Sequence, residues 1–147
     1  MLRDFQERLP GGVPDATTLL MVVGGLCVVG FLTHTGPGLA NDTSRLAAAQ
    51  AVVEQGTLAI DQTYFSYTVD KIKVDGAFYS DKPPLLSLYL AALYAVLTGL
   101  TGWTMSSDLP SLYWWLSMGS TGLAFAAALV GVRRLARCFG APDRWAV

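Results

Sequence analysis

Two stretches of this 147-residue chain carry side chains whose types and spacing could do chemistry. The first reads Asn41-Asp42-Thr43-Ser44-Arg45. Asn41 and Asp42 both suit the start of a helix, where a side-chain oxygen accepts from the free amides of the first turn. If Asn41 takes the capping role, the Asp42 carboxylate is left free, and the positive helix end favours a negative charge there. Such a group can act as general base toward a hydroxyl or an amine. Arg45 lies one turn on, where it can pair with Asp42 or with an anion. The plainer reading of the spacing is an N-cap aspartate followed by a solvated arginine.

The second stretch is Asp81-Lys82-Pro83-Pro84. Proline suits the first turn of a helix, where its missing N–H costs nothing. The two prolines therefore fix the entry of a helix over 84–100 and place Lys82 just before its positive end. A lysine there is poor for helix stability. It becomes sensible with an anion between the ammonium and the exposed amides, since both bind phosphate. At a bilayer surface the available anion is a lipid phosphate. The alternative is a generic anchor, with Lys82 reaching up to the headgroups. Tyr64 and Tyr79, with Phe65, Tyr67 and Phe78 nearby, could line a sugar or lipid groove, and interfacial burial explains them equally well. His34 at a helix end reads as a capping or interfacial residue rather than a metal ligand.

The elements that must position these residues are marked by where charge is missing. The chain is 52% hydrophobic and 14% charged, against about 25% charged in soluble domains. Its mean hydropathy is +0.42. Residues 16–40, 83–105 and 109–132 contain no Asp, Glu, Lys or Arg, and charge-free runs above about 18 residues are candidates to cross a membrane. An integral membrane protein is expected. The net charge of -1 provides no basic surface for nucleic acid. Cys27 and Cys138 give neither metal spacing nor a disulfide framework, and read as small buried residues. The first apolar core, over 17–33, is longer than a signal peptide's and lacks an Ala-x-Ala site, so it reads as an uncleaved anchor.

Between the apolar runs, 41–56 reads as a short helix stopped by Gly56. The β-branched and aromatic residues of 57–81 suggest extended chain, with Asp75-Gly76 as a two-residue hairpin turn. Ser87, Tyr94, Thr98 and Thr101 share one face of the helix over 84–100, which suits a helix lying in the interface or packed on neighbours. The aromatic start Tyr113-Trp114-Trp115 and the arginines Arg133, Arg134 and Arg137 frame the last run as a crossing. Arg3 and Arg8 precede the first run. The positive-inside rule then favours two crossings, by the first and last runs, with both basic ends in the cytoplasm. Three full crossings are the competing arrangement.

The expected fold is an all-α membrane protein: two transmembrane helices, juxtamembrane helices and a short β-hairpin in a large external loop, 34–108. Residues 1–14 are expected as a cytoplasmic tail, 15–138 as the membrane region, and 139–147 as the start of a further segment. The apolar ending, Trp145-Ala146-Val147, suggests an N-terminal fragment or a split subunit of a larger protein.

An external Asp just after the first apolar run, an Arg three residues on, a short helix and then Tyr-x-x-Lys-Pro-Pro-Leu resembles the GT-C membrane glycosyltransferases. The protein O-mannosyltransferase-like enzymes and the lipid A aminoarabinose transferases are the most similar. The matching residues are 41–45 and 79–87, and the resemblance covers about 15–138, the N-terminal part of such an enzyme. It implies transfer of a sugar from a polyprenyl-phosphate donor to an acceptor on the non-cytoplasmic face of a bacterial inner membrane or its equivalent. It places Asp42 as the catalytic base, and Lys82 and Arg45 against the lipid-linked phosphate. The family's usual Asp-Glu pair is Asp42-Thr43 here. No cofactor is required by this reading, and a divalent metal is admitted without being demanded. The parent protein is then an enzyme, the chain alone is expected to be inactive, and its partners are the lipid-linked donor, membrane lipid, and the rest of the enzyme or a partner membrane subunit. The alternative is a non-catalytic membrane subunit that binds lipid phosphate or scaffolds a partner chain.

Overall fold

In the computed structural model, residues 15–140 are described. The tail expected over 1–14, and residues 141–147 of the expected further segment, lie outside them. The protein is mostly helical, 64%, with a small two-stranded sheet. It divides into two compact units: the segment Thr33–Gly119, and the flanking segments up to Leu32 and from Ser120.

The flanking unit is a helix pair. Asp15 starts helix α1 (Ala16–Leu32), and its carboxylate accepts from the Thr18 amide at 2.9 Å and hydroxyl at 2.6 Å. Helix α5 (Leu123–Cys138) packs on α1. A Cβ on Gly25 would stand 2.7 Å from Leu129 Cδ1 and 3.0 Å from Phe125 Cε1. The glycine therefore lets the helices approach closely. Arg133 donates to Met21 Sδ at 3.3 Å and to Asp15 at 3.1 Å, and Arg137 also pairs with Asp15. Positions 15, 21 and 25 thus meet 133–137, 133 and 125–129 in descending order, so the two helices run antiparallel.

The unit Thr33–Gly119 is built on helix α2 (Ala40–Gln50), which continues as a π-helical turn, Ala51–Gln55. Gly56 ends it with φ 67°, a left-handed conformation that glycine adopts without strain. Strands β1 (Lys71–Val74) and β2 (Ala77–Ser80) form an antiparallel hairpin in the register Val74↔Ala77 to Lys71↔Ser80. Asp75 and Gly76 both have positive φ, 48° and 92°, as expected of an Asp-Gly turn. Helix α3 (Pro84–Thr101) has Pro84 in its first turn and ends at Gly102, φ 75°. Helix α4 (Leu109–Ser117) follows, and a π-helical turn, Met118–Gly122, leads from it into α5. The Tyr89 hydroxyl donates to the Gly119 carbonyl, inside that π-helical turn, at 2.6 Å.

Helices α2 and α3 share the core. Leu46, Ala47, Ala48, Ala49 and Ala51 are buried with Leu90, Ala91 and Tyr94, and Ile60, Phe65, Met105, Leu112 and Leu116 close it. The small α2 side chains permit a close approach, and Ser87 and Tyr94 of the expected polar face are buried. Thr98 and Thr101 instead donate to the Trp103 and Leu97 carbonyls.

Several sequence expectations are revised. The first turn of α2 starts at Ala40, with Leu39 as the cap residue and no side-chain cap bond, so neither Asn41 nor Asp42 caps it. The Thr68 hydroxyl donates to the Ala40 carbonyl at 3.2 Å, tertiary support at the first turn of the helix. Residues 57–70 are mostly turns rather than extended chain, with one bridge, Ala59↔Tyr79. Two helices are long and apolar enough to cross a membrane: Pro84–Thr101 and the 30-residue run Leu109–Cys138. These are not the same pair as the first and last apolar runs, because α1 has 17 residues, or about 26 Å at 1.5 Å per residue. Only 22% and 17% of their apolar windows are buried, unlike the core helix of a soluble protein.

Candidate functional site

Lys82 is positioned by the hairpin on one side and by proline on the other. Pro83 is the cap residue of α3 and Pro84 its first residue, so the backbone turns from β2 into the helix directly after Lys82. The Lys82 amide donates to Ser80 Oγ at 3.3 Å. Its ammonium lies 3.0 Å from Asp70 and 3.2 Å from Asp81. The ammonium is held above the ordinary lysine range, chiefly by its bond to Asp70, against the opposing effect of burial.

Ser44 ties this cluster to α2. Its hydroxyl donates to the Asp70 carbonyl at 2.6 Å and lies 2.7 Å from Ser80 Oγ. Thr43 Oγ1 donates to Thr68 Oγ1 at 2.9 Å. The first turn of α2, the segment 68–70 and the end of β2 are thus joined by hydroxyl bonds.

Asp42 sits in that same first turn. Among the described residues its carboxylate makes no hydrogen bond and no ion pair, and it is half-buried. Asp42 precedes Ser44 by two residues, about 200° around a helix of 3.6 residues per turn. Asp42 and Lys82 therefore approach the end of α2 from different sides, and no bond among the described residues joins them. Arg45 follows Asp42 by three residues on a neighbouring face. It makes no ion pair with Asp42 among the described residues, and its Nε is buried without a hydrogen-bond partner.

The two aromatic candidates make different contacts. The Tyr64 amide donates to Gln50 Oε1 at 2.8 Å, and its ring meets Phe65 edge-on at 5.0 Å. Tyr79 lies in β2 opposite Ile72. No ring contact joins Tyr64 to Tyr79 among the described residues. Phe78 receives Lys71 and Lys73 over its ring at 4.7 and 5.5 Å. Among the described residues no group of three or more His, Cys, Asp or Glu side chains is placed to hold a metal ion.

Sequence reasoning missed Asp70, Ser44 and Ser80. The signal for Asp70 was present: a two-residue turn at 75–76 forces Lys71 opposite Ser80, which sets Asp70 opposite Asp81, beside Lys82. It also missed Glu54, which receives the Tyr94 hydroxyl and, at 2.8 Å, the Gln50 amide. Comparison with models of protein families, with curated proteins and with solved structures finds no match.

Proposed function

We propose that this chain carries the base and phosphate-binding region of a membrane glycosyltransferase of the GT-C type, which moves a sugar from a polyprenyl-phosphate donor to an acceptor on the non-cytoplasmic face. The observation that carries the reading is the hydroxyl stitching of Ser44 to Ser80 and Asp70. It brings the Lys82 entry of α3 to the α2 turn that bears Asp42, within one compact unit. Asp42 takes the acceptor proton as the acceptor oxygen or nitrogen bonds to the sugar carbon. The departing phosphate keeps the electron pair of the broken C–O bond, and Lys82 and Arg45 meet its growing charge, where they stabilise the transition state most.

The antiparallel α1–α5 pair supports two crossings by these helices. A third crossing by α3 would turn α5 parallel to α1. With two, both basic ends share the cytoplasmic side and residues 34–108 lie opposite, with α3 at or in the outer leaflet.

A second reading, a non-catalytic subunit, is favoured by one observation: two carboxylates already neutralise Lys82. Transfer from a polyprenyl-phosphate sugar, measured in membranes holding the chain with the rest of its assembly, separates the two. The catalytic reading expects Asp42→Asn to lower kcat by about 10²–10⁴ with KM retained, and Lys82→Ala to raise KM. Unchanged transfer in both variants leaves the non-catalytic reading.

A further inference from the structure

Lys82 is not a free ammonium waiting for an anion. With Asp70 and Asp81 it forms a cluster of one positive and two negative charges, and a phosphate approaching it meets a net negative site. The two carboxylates are not equivalent. Asp81 adjoins Lys82 in the chain and moves with it. Asp70 stands on the opposite strand end, and its backbone is fixed to α2 by the 2.6 Å bond from Ser44. The Asp70 pair is therefore the one that holds the ammonium toward α2. All three side chains keep some solvent contact, 19% for Lys82, 27% for Asp70 and 33% for Asp81, so a partner can be exchanged without opening the core.

We propose that Asp70 is a positioning residue that occupies Lys82 in the absence of ligand and yields it to a phosphate oxyanion: the phosphate binds by taking the place of the Asp70 carboxylate on the ammonium. This rests on the phosphate-binding reading of Lys82 given above. Asp70 then sets the affinity of the site as a built-in competitor, and it returns Lys82 to its seat against α2 when the phosphate leaves.

The test is binding of a polyprenyl monophosphate to the full chain in nanodiscs of zwitterionic lipid, with inorganic phosphate and an anionic phospholipid as parallel probes. Asp70→Asn should bind the polyprenyl phosphate about fivefold more tightly at low salt, the size of one partly exposed charge pair, and the gain should shrink as salt rises. Asp70→Glu restores the competitor and should bind as wild type. Asp75→Asn removes the same charge at the exposed hairpin turn, where Asn tolerates the positive φ, and should also bind as wild type. A gain shared by inorganic phosphate supports recognition of the oxyanion alone. A gain confined to the polyprenyl or phospholipid probe supports the proposal with a lipid as the source. If Lys82→Ala weakens binding while folded Asp70→Asn binds no more tightly than wild type, the proposal is overturned and the phosphate reading of Lys82 stands. If Lys82→Ala leaves binding unchanged, that reading fails and the proposal with it.

Discussion

Ser44 does the most to shape the site, although it is neither acid, base nor cation. It is fully buried, and its hydroxyl serves the Asp70 carbonyl and Ser80 Oγ together. Ser44→Ala removes the donor to the half-buried Asp70 carbonyl and should cost about 0.5–1.5 kcal/mol, read as a lower thermal midpoint in detergent. Ser44→Thr, which keeps the hydroxyl, should lose less of the Lys82 seat. Lys82 gives a pH signature with a definite sign. Its folded pKa is raised above the ordinary 10.5, so its stabilising contribution is complete below that pH and is lost as pH rises through the folded value. Unfolding followed between pH 9 and 12 should show a loss of stability at the alkaline end that is smaller in Asp70→Asn. At this scale the sequence was partly legible. Asp42 and Lys82 stood out by type and neighbours, and the hairpin register implied Asp70. Which side of α2 meets the hairpin was not legible, because tertiary contacts decide it, and neither was the start of the helix. Thr68, a distant hydroxyl, helps to set that start through the Ala40 carbonyl.

Among the elements, the hairpin and α3 were the most legible. Asp75-Gly76 and Pro83-Pro84 act through local backbone preference, which tertiary packing had no cause to override. The π-helical turns at 51–55 and 118–122 had no comparable local signal. The first accompanies the bond from Tyr94 to Glu54, and the second lies where a Cβ on Gly119 would be 3.0 Å from Leu93. The α1–α5 pair makes its own predictions. Thr18 and Arg137 bond the Asp15 carboxyl and hold it well below the usual carboxylate range. Its contribution is complete above the unfolded value near 3.8 and disappears as pH falls further, through the folded pKa. Asp15→Asn should flatten the acid side of the pH–stability curve between about pH 4 and 2. Gly25→Leu, larger than the space beside Leu129 and Phe125 allows, should separate the helices. A disulfide engineered between α1 and α5 positions that face each other should then form more slowly than in the wild-type background.

For the whole molecule, the apolar character was plain in the composition, whereas the assignment of crossings was not. Length and hydropathy select α3 and the run Leu109–Cys138. The proposed two-crossing arrangement instead takes α1 with α5. Both statements hold if α3 is long enough to cross but lies against the outer leaflet. Single cysteines at Thr35 and Asp75, in a background with Cys27 and Cys138 replaced, should react with a membrane-impermeant maleimide added to the non-cytoplasmic side. A cysteine at Arg134 should react only after the membrane is opened. Protection of either external position would leave the two-crossing arrangement without support. The most direct measurement of the central claim, that Asp42 and Lys82 serve one lipid-phosphate site, uses a photoreactive polyprenyl-phosphate analogue, followed by mass spectrometry of the labelled peptides. Labels should fall both within 41–45 and within 79–87, and Lys82→Ala should remove both. Labels in one stretch only, or labels indifferent to Lys82, would contradict a shared site.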